Sequence, residues 1–355
     1  MMNTQTNLGN PQPSKQVQKW ADKAMFEAAP IDVGSGPKVT LLSCNSDPLG
    51  TIVAAAKMYK GEYVESLAEI TDAERRYYLA DVRKSALAAP LEFVNFHFHI
   101  SGVTRGFTHQ MVRQRTATYT QESTRFAVKS TMPVGIPPSL EGTLPWREYV
   151  AQQTSEFGIV EEDWIFRHAT KEQRWRAHWD AAVAQIDSSY NWLVEAGMPA
   201  EDARGLLPTN LLTRINYNTS LRGLLDHAGV RLCTQAQFEW RLVWNKMIQA
   251  IQDYGPSHTY ARRDADGMLS YESSKWQFNE LATIFKPICY QKGSCQFLSD
   301  VDRHCSIRDR VQLNAARGRK SDKWDMPILP DGNDGIAAIK DSEWMLDPES
   351  ARVSQ

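Results

Sequence analysis

The chain has 355 residues, of which 42% are hydrophobic and 10% aromatic, and a formal net charge of −2. Such a composition supplies a sizeable core and excludes wholesale disorder, and the length leaves room for one large domain with extensions or for two. The near-neutral balance excludes the basic excess of a general nucleic-acid binder, so any anion site must be a local cluster.

Residues 1–36 are rich in Asn, Gln, Pro, Ser and Gly and read as a flexible arm. Residues 39–44 read as a buried strand and 47–61 as a helix. Asp72 suits an N-cap for a helix that must end near Pro90. In 92–102, Phe96, Phe98 and Ile100 alternate with Asn95, His97 and His99, the period-2 pattern of a strand with one apolar face. Gly102 ends it, and Thr104 caps a helix expected over 105–115. Residues 116–128 carry no helical stripe and read as a loop, and 132–168 as irregular. A long helix is expected over 170–196, a short one before Pro208, a strand over 210–218, and helices over 220–229 and 234–255. Beyond about 256 the pattern loosens. The expected organisation is an arm (1–36), an α/β (α+β) domain with a mixed sheet flanked by helices (37–285) and a C-terminal extension (286–355).

Between residues 101 and 125 stand four arginines, Arg105, Arg113, Arg115 and Arg125, against one acid, Glu122. Gln110 and Arg113, three apart on the expected helix, would share a face. Arg115 would sit where the chain turns into the segment bearing Gln121, Ser123 and Arg125. Planar guanidinium donors converging there suit phosphate, although composition alone leaves a solvated basic helix equally open.

Arg113-Gln114-Arg115, seven residues, then Ser123 resembles the Arg-His-Arg, seven residues, Ser signature of the flavin-dependent thymidylate synthases. Ser123-Thr124-Arg125-Phe126 is similar to that family's Ser-x-Arg-Tyr, and Pro90-Leu91-Glu92-Phe93 with 96–100 to its Pro-Phe-Glu-His strand. Ala203-Arg204-Gly205-Leu206-Leu207-Pro208-Thr209-Asn210 resembles its Ala-Arg-x-x-Leu-Pro-x-Asn. Val230-Arg231 with Gln235-Ala236-Gln237-Phe238-Glu239 resembles its Leu-Arg and His-Ala-Gln-x-Glu. The ordered blocks span about 39–255.

The resemblance implies conversion of dUMP to dTMP with methylenetetrahydrofolate as carbon donor, NADPH as reductant and FAD as hydride carrier. It further implies a cytoplasmic homotetramer with shared active sites that acts on small molecules, not on nucleic acid or membranes. By position, Gln110, Arg113, Gln121, Glu122, Ser123, Thr124, Arg125 and Arg204 would hold dUMP. Arg231 would face the uracil edge and act as the catalytic residue, a fixed charge beside developing negative charge. Arg113, Gln114, Arg115, Gln121, Ser220, Leu221, Arg222, Asp226 and Gln235 would line FAD. The departures are Gln114, Leu87 and Gln235 in place of the family's histidines, and Asp226 in place of an Asn. They leave two other outcomes open on the same fold: a pyrimidine-nucleotide hydroxymethylase or methylase, and a non-catalytic dUMP-binding paralogue.

The five cysteines, Cys44, Cys233, Cys289, Cys295 and Cys305, are an odd and modest count. The first 20 residues lack a signal-peptide apolar run, and no stretch approaches the ~18 apolar residues of a membrane span. A soluble protein of a reducing cytoplasm with free thiols is expected. Cys289, Cys295, His304 and Cys305 do not fit paired zinc-ligand spacing, so no metal is expected. His97 and His99 read as half-buried and hydrogen-bonded, the tryptophans at 240 and 244 as core, 331–335 as turns and 308–320 as a solvated basic segment.

Overall fold

The computed structural model describes residues 26–27, 30–31, 36–84, 88–125, 127–128, 132–158, 161–233 and 236–292. In chain order the elements are β1 (Phe26–Glu27), β2 (Lys38–Cys44), α1 (Pro48–Met58), α2 (Asp72–Lys84), β3 (Asn95–Thr104), α3 (Arg105–Met111), β4 (Ala117–Gln121) and β5 (Ala127–Val128). They continue with α4 (Trp146–Phe157), α5 (Glu162–His168), α6 (Lys171–Glu195), α7 (Ala200–Ala203), β6 (Leu212–Ser220), α8 (Leu221–Arg231) and α9 (Phe238–Tyr254). β7 (Thr259–Arg263), β8 (Leu269–Ser273), α10 (Lys275–Ile284) and α11 (Ile288–Lys292) complete the order. The chain divides into two compact units, 1–33 with 122–212, and 34–121 with 213–355.

The larger unit is built on a sheet of order β2-β3-β6-β4. β2 and β3 are antiparallel from Lys38↔Ser101 to Cys44↔Phe96, and β4 and β6 from Ala117↔Thr219 to Gln121↔Ile215. The expected alternation in β3 holds: Phe96, Phe98 and Ile100 are fully buried, while His97 and His99 are half-buried. That apolar face meets Leu224 and Ala228 of α8, and Trp240, Val243, Trp244, Met247 and Ile251 of α9, at 3.6-residue spacing. Removing this surface from water stabilises the unit by roughly 25 cal/mol per Å². A polar hub ties α1 to α2. Asp47 caps α1 through Gly50 N–H and takes a two-pronged ion pair from the fully buried Arg75 of α2. Arg75 also donates to the carbonyls of Leu67 and Ile70 and lies 4.6 Å over the Tyr260 ring.

The smaller unit has its own apolar centre, including Leu140, Ile165, Ala177, Tyr190, Ala200, Ala203 and Leu211. β1 pairs with β5 in parallel, so Phe26 and Glu27 of the expected arm are in register with Ala127 and Val128.

Several expectations are corrected. β2 is not a buried strand: it lies at the sheet edge, only Leu41 is buried, and Leu42 is 50% exposed. The helix beginning at Arg105 stops at Met111, so Arg113 lies in the following turn and not on a helical face with Gln110. No Gly or Pro marks that stop. Its cause is tertiary: the Tyr119 hydroxyl donates to Met111 O at 2.8 Å, and Gln114 N–H closes a three-residue turn on the same carbonyl at 3.1 Å. Part of the expected loop is β4, where Ala117, Tyr119 and Gln121 alternate with exposed Thr118 and Thr120. Residues 132–168 hold α4 and α5; no side chain caps either, and Trp146 N–H is instead met by Asp180 of α6 at 2.8 Å. Beyond 256, β7 and β8 form an antiparallel hairpin whose turn is closed by Asp264 and by Gly267 at φ +80°. Leu87, Phe126, Gln235, Cys295, His304, Cys305 and residues 308–320 and 331–335 lie outside the described residues.

Candidate functional site

The larger unit gathers most of the candidate residues around the junction of β6 with α8 and the turn after α3. Ser220 ends β6 and caps α8 by accepting from Gly223 N–H. Its hydroxyl donates to Glu92, which also pairs with Arg222 at 3.5 Å. Asp226, one turn on, has its carboxyl pushed up by burial, with Arg222 pulling it down and Glu92 adding to the rise. Leu221 is fully buried, and its N–H donates to Val94 O at 2.7 Å.

In the Arg113-Gln114-Arg115 turn the three side chains divide. Gln114 is half-buried: its Oε1 accepts from the Tyr217 hydroxyl at 2.7 Å and its Nε2 donates to Gly223 O at 2.9 Å. The flanking Arg113 and Arg115 are exposed, and among the described residues neither guanidinium has a hydrogen bond or ion pair. Two unspent cationic forks beside a fixed turn are a donor set that fits a phosphate-bearing ligand. The close approach of α8 to this turn needs Gly223, where a Cβ would lie 2.3 Å from Thr219 Oγ1 and 3.2 Å from Thr116 Oγ1. Gln121 donates to Thr108 Oγ1 at 2.8 Å, which fastens β4 to α3.

A second cluster forms about Trp240, which is fully buried. Gln110 accepts from its indole N–H at 3.1 Å and donates to Gln237 at 2.6 Å. Arg231, the last residue of α8, lies 4.8 Å over the same indole; its Nε is buried without a hydrogen-bond partner, and desolvation lowers its pKa. Beneath them His227 is pushed down to about 3, first by burial and then by the Arg231 charge, so it is neutral. The Tyr217 hydroxyl lies 3.4 Å from its Nδ1. Glu239 accepts from Thr104 N–H and Oγ1, both at 2.6 Å, and burial pushes its carboxyl up against those bonds. Gln110 and Arg231, 121 positions apart, are thus brought to one side chain.

In the smaller unit, Arg125 and Arg204 meet at Glu201, at 3.3 and 3.7 Å, and Arg204 Nε also donates to the Glu201 carbonyl. Ser123 Oγ accepts from Arg125 N–H, and Ser123, Thr124 and Glu122 are half-buried in the same turn. Two forks converging on one carboxylate are two forks that could converge on a phosphate in its place.

Sequence reasoning missed Trp240, Tyr217, His227 and Glu201. Trp240 read only as core, since its apolar spacing gives no sign of what its edge and face support. Glu201 stands three before Arg204, an i,i+3 spacing that could have flagged it. Among the described residues no three His, Cys, Asp or Glu side chains cluster in a way that could hold a metal, and no helix is long and apolar enough to cross a membrane.

The chain matches the family model described as thymidylate synthase complementing protein (Thy1) over residues 40–257. It is 32% identical over 217 residues to the flavin-dependent thymidylate synthase of Pyrococcus furiosus, covering 60% of this chain and 78% of that one. It is 31% identical over 226 residues to that of Sulfolobus acidocaldarius, covering 62% and 74%. Identity to that of Geobacter sulfurreducens is 26% over 224 residues, covering 62% and 84%. The crystal structure of a UMP/dUMP methylase from Streptomyces cacaoi bound with 5-Br dUMP aligns with a TM-score of 0.47 and 20% identity, covering 62% of this chain and 91% of that one. Because the match spans residues 40–257, from within β2 past the end of α9, and takes in all three groups of residues described above, the chain belongs to the flavin-dependent thymidylate synthase (Thy1) family.

Proposed function

We propose that this protein methylates dUMP to dTMP, taking the carbon from methylenetetrahydrofolate and the reducing equivalents from NADPH by way of FAD. When bound, FAD supplies the hydride relay between the reductant and the transferred carbon. The observation that carries the reading is Arg231, a half-buried guanidinium whose Nε has no hydrogen-bond partner, resting on Trp240 beside Gln110. A fixed cation of this kind favours the ionised uracil edge, and being partly desolvated it acts on charge formed during reaction. Arg125 and Arg204, with Ser123 and Thr124, take the nucleotide phosphate in exchange for Glu201. Arg113 and Arg115 would hold the flavin cofactor through its phosphates, and Ser220, Leu221, Arg222 and Asp226 would line it. The resemblance implies a cytoplasmic homotetramer with shared active sites, so these groups need not come from one copy of the chain.

The test is the visible absorption spectrum of purified, dialysed protein with FAD and then with dUMP. A flavin spectrum that stays with the protein and sharpens on adding dUMP supports the reading. Nucleotide binding without flavin under any condition rejects it in favour of a non-catalytic dUMP-binding paralogue.

A second outcome on the same fold has an observation behind it. Gln114, in the place of the family's histidine, spends its carbonyl on Tyr217 and an N–H on Gly223. A changed flavin side would suit a hydroxymethylase, in which water and not hydride meets the transferred carbon. Product mass distinguishes them, since only the hydroxymethyl product carries an added oxygen.

A further inference from the structure

We infer that Trp240 is a positioning residue for both Arg231 and Gln110: the face of its indole holds the guanidinium and its N–H orients the amide. This rests on the proposed function, because Arg231 is assigned there to the uracil edge and Gln110 is one of the residues expected to hold dUMP.

Among the described residues the Arg231 guanidinium has neither an ion pair nor a hydrogen bond, and its Nε is buried. The ring 4.8 Å away is what fixes it. A carboxylate in that position would occupy the outer N–H groups and cancel the charge. An aromatic face fixes the cation while leaving its forked donors and full charge available to a ligand. Trp240 Nε1–H can only donate, so Gln110 must turn its carbonyl toward the indole and its NH2 away. One of those N–H groups goes to Gln237, and the other remains as a donor that reads an acceptor and rejects a donor. The indole cannot tilt away from either contact, because Phe107 packs 4.1 Å from it and His227 meets it edge-on at 4.8 Å and 82°.

The experiment uses the full chain loaded with FAD and separates the two halves. Tryptophans carrying one, two and three ring fluorines, placed at position 240 alone, keep shape and N–H while draining the negative face. We expect kcat to fall stepwise, to about a tenth at full fluorination, the factor that a desolvated cation–π contact carries, with KM for dUMP nearly constant. A flat kcat series overturns the Arg231 half. Trp240→Phe keeps a face and loses the N–H. We expect dUMP affinity, read by calorimetry, to weaken about fivefold with kcat within about threefold, as for one neutral hydrogen bond. Unchanged affinity overturns the Gln110 half. Fluorination leaves packing intact, so the Arg231 half is decided even where Trp240→Phe fails to fold. In that event a non-natural residue at 240 with the indole N–H replaced by sulfur decides the Gln110 half by the same loss of affinity. A wild-type protein that binds dUMP without any turnover sinks the functional reading and the Arg231 half together, while calorimetry still decides the Gln110 half.

Discussion

Replacing Gln114 by alanine tests whether the centre of the Arg113-Gln114-Arg115 turn serves the scaffold. Two hydrogen bonds are lost, Tyr217 Oη to Oε1 at 2.7 Å and Nε2 to Gly223 O at 2.9 Å. Tyr217 is fully buried, so its hydroxyl finds no water and has His227 Nδ1, at 3.4 Å, and the Thr219 side chain to turn to. An orphaned buried hydroxyl costs about 1–3 kcal/mol and the second bond about 1 kcal/mol. With His227 recovering part of this, the expected loss is about 2–3 kcal/mol, or roughly 5–10 °C in Tm for a unit of this size. Replacing both partners, Gln114→Leu with Tyr217→Phe, removes the polar groups together and should cost no more than the worse of the single variants Gln114→Leu and Tyr217→Phe. That corresponds to a coupling of about 1–2 kcal/mol. Urea unfolding of the apoprotein, followed by circular dichroism, reads all four corners of the cycle. A Gln114→Ala loss below about 0.5 kcal/mol, or strictly additive variants, would refute the assignment.

Arg75→Met should destabilise by about 3–5 kcal/mol, because it strands the Asp47 carboxylate and the Leu67 and Ile70 carbonyls in the interior; a loss under about 1 kcal/mol in denaturant titration contradicts the hub. His227 is lowered from 6.5 to about 3, so the unfolded chain takes a proton that the native chain refuses. Its contribution is therefore fully present above pH 6.5 and is lost as pH falls toward 3, by up to about 1.4 kcal/mol per pH unit. Unfolding free energies measured from pH 7 to 4 should accordingly fall less steeply in His227→Phe, and equal slopes would remove His227 from the account. Arg231→Ala should lower kcat by about 100-fold or more while dUMP affinity changes far less, and Arg125→Ala should do the reverse, weakening binding by about 2 kcal/mol. Steady-state kinetics beside calorimetry separates the two, and equal losses in both quantities would withdraw the distinction.

What the sequence made legible was local. The alternation of β3 and the stripe of α9 are periodic, and Thr104 and Ser220 are capping residues at helix starts, so those elements and their buried faces could be read directly. The stop at Met111 could not, because Tyr119 enforces it from the neighbouring strand. Nor could the starts of α4 and α5, which no side chain caps. The candidate site divides in the same way. Arg113, Arg115, Arg125, Arg204 and Arg231 stand in motifs and were visible. That Gln114 faces Tyr217, that Arg125 and Arg204 share Glu201, and that one indole serves Gln110 and Arg231 are facts of long-range packing with no signature in spacing.

The most direct test of the central claim is product analysis by mass spectrometry after incubating the protein with dUMP, NADPH, FAD and methylenetetrahydrofolate labelled in its methylene carbon. The account predicts labelled dTMP, formed only when FAD is present. Labelled hydroxymethyl nucleotide, or no labelled nucleotide despite bound flavin and bound dUMP, would contradict it.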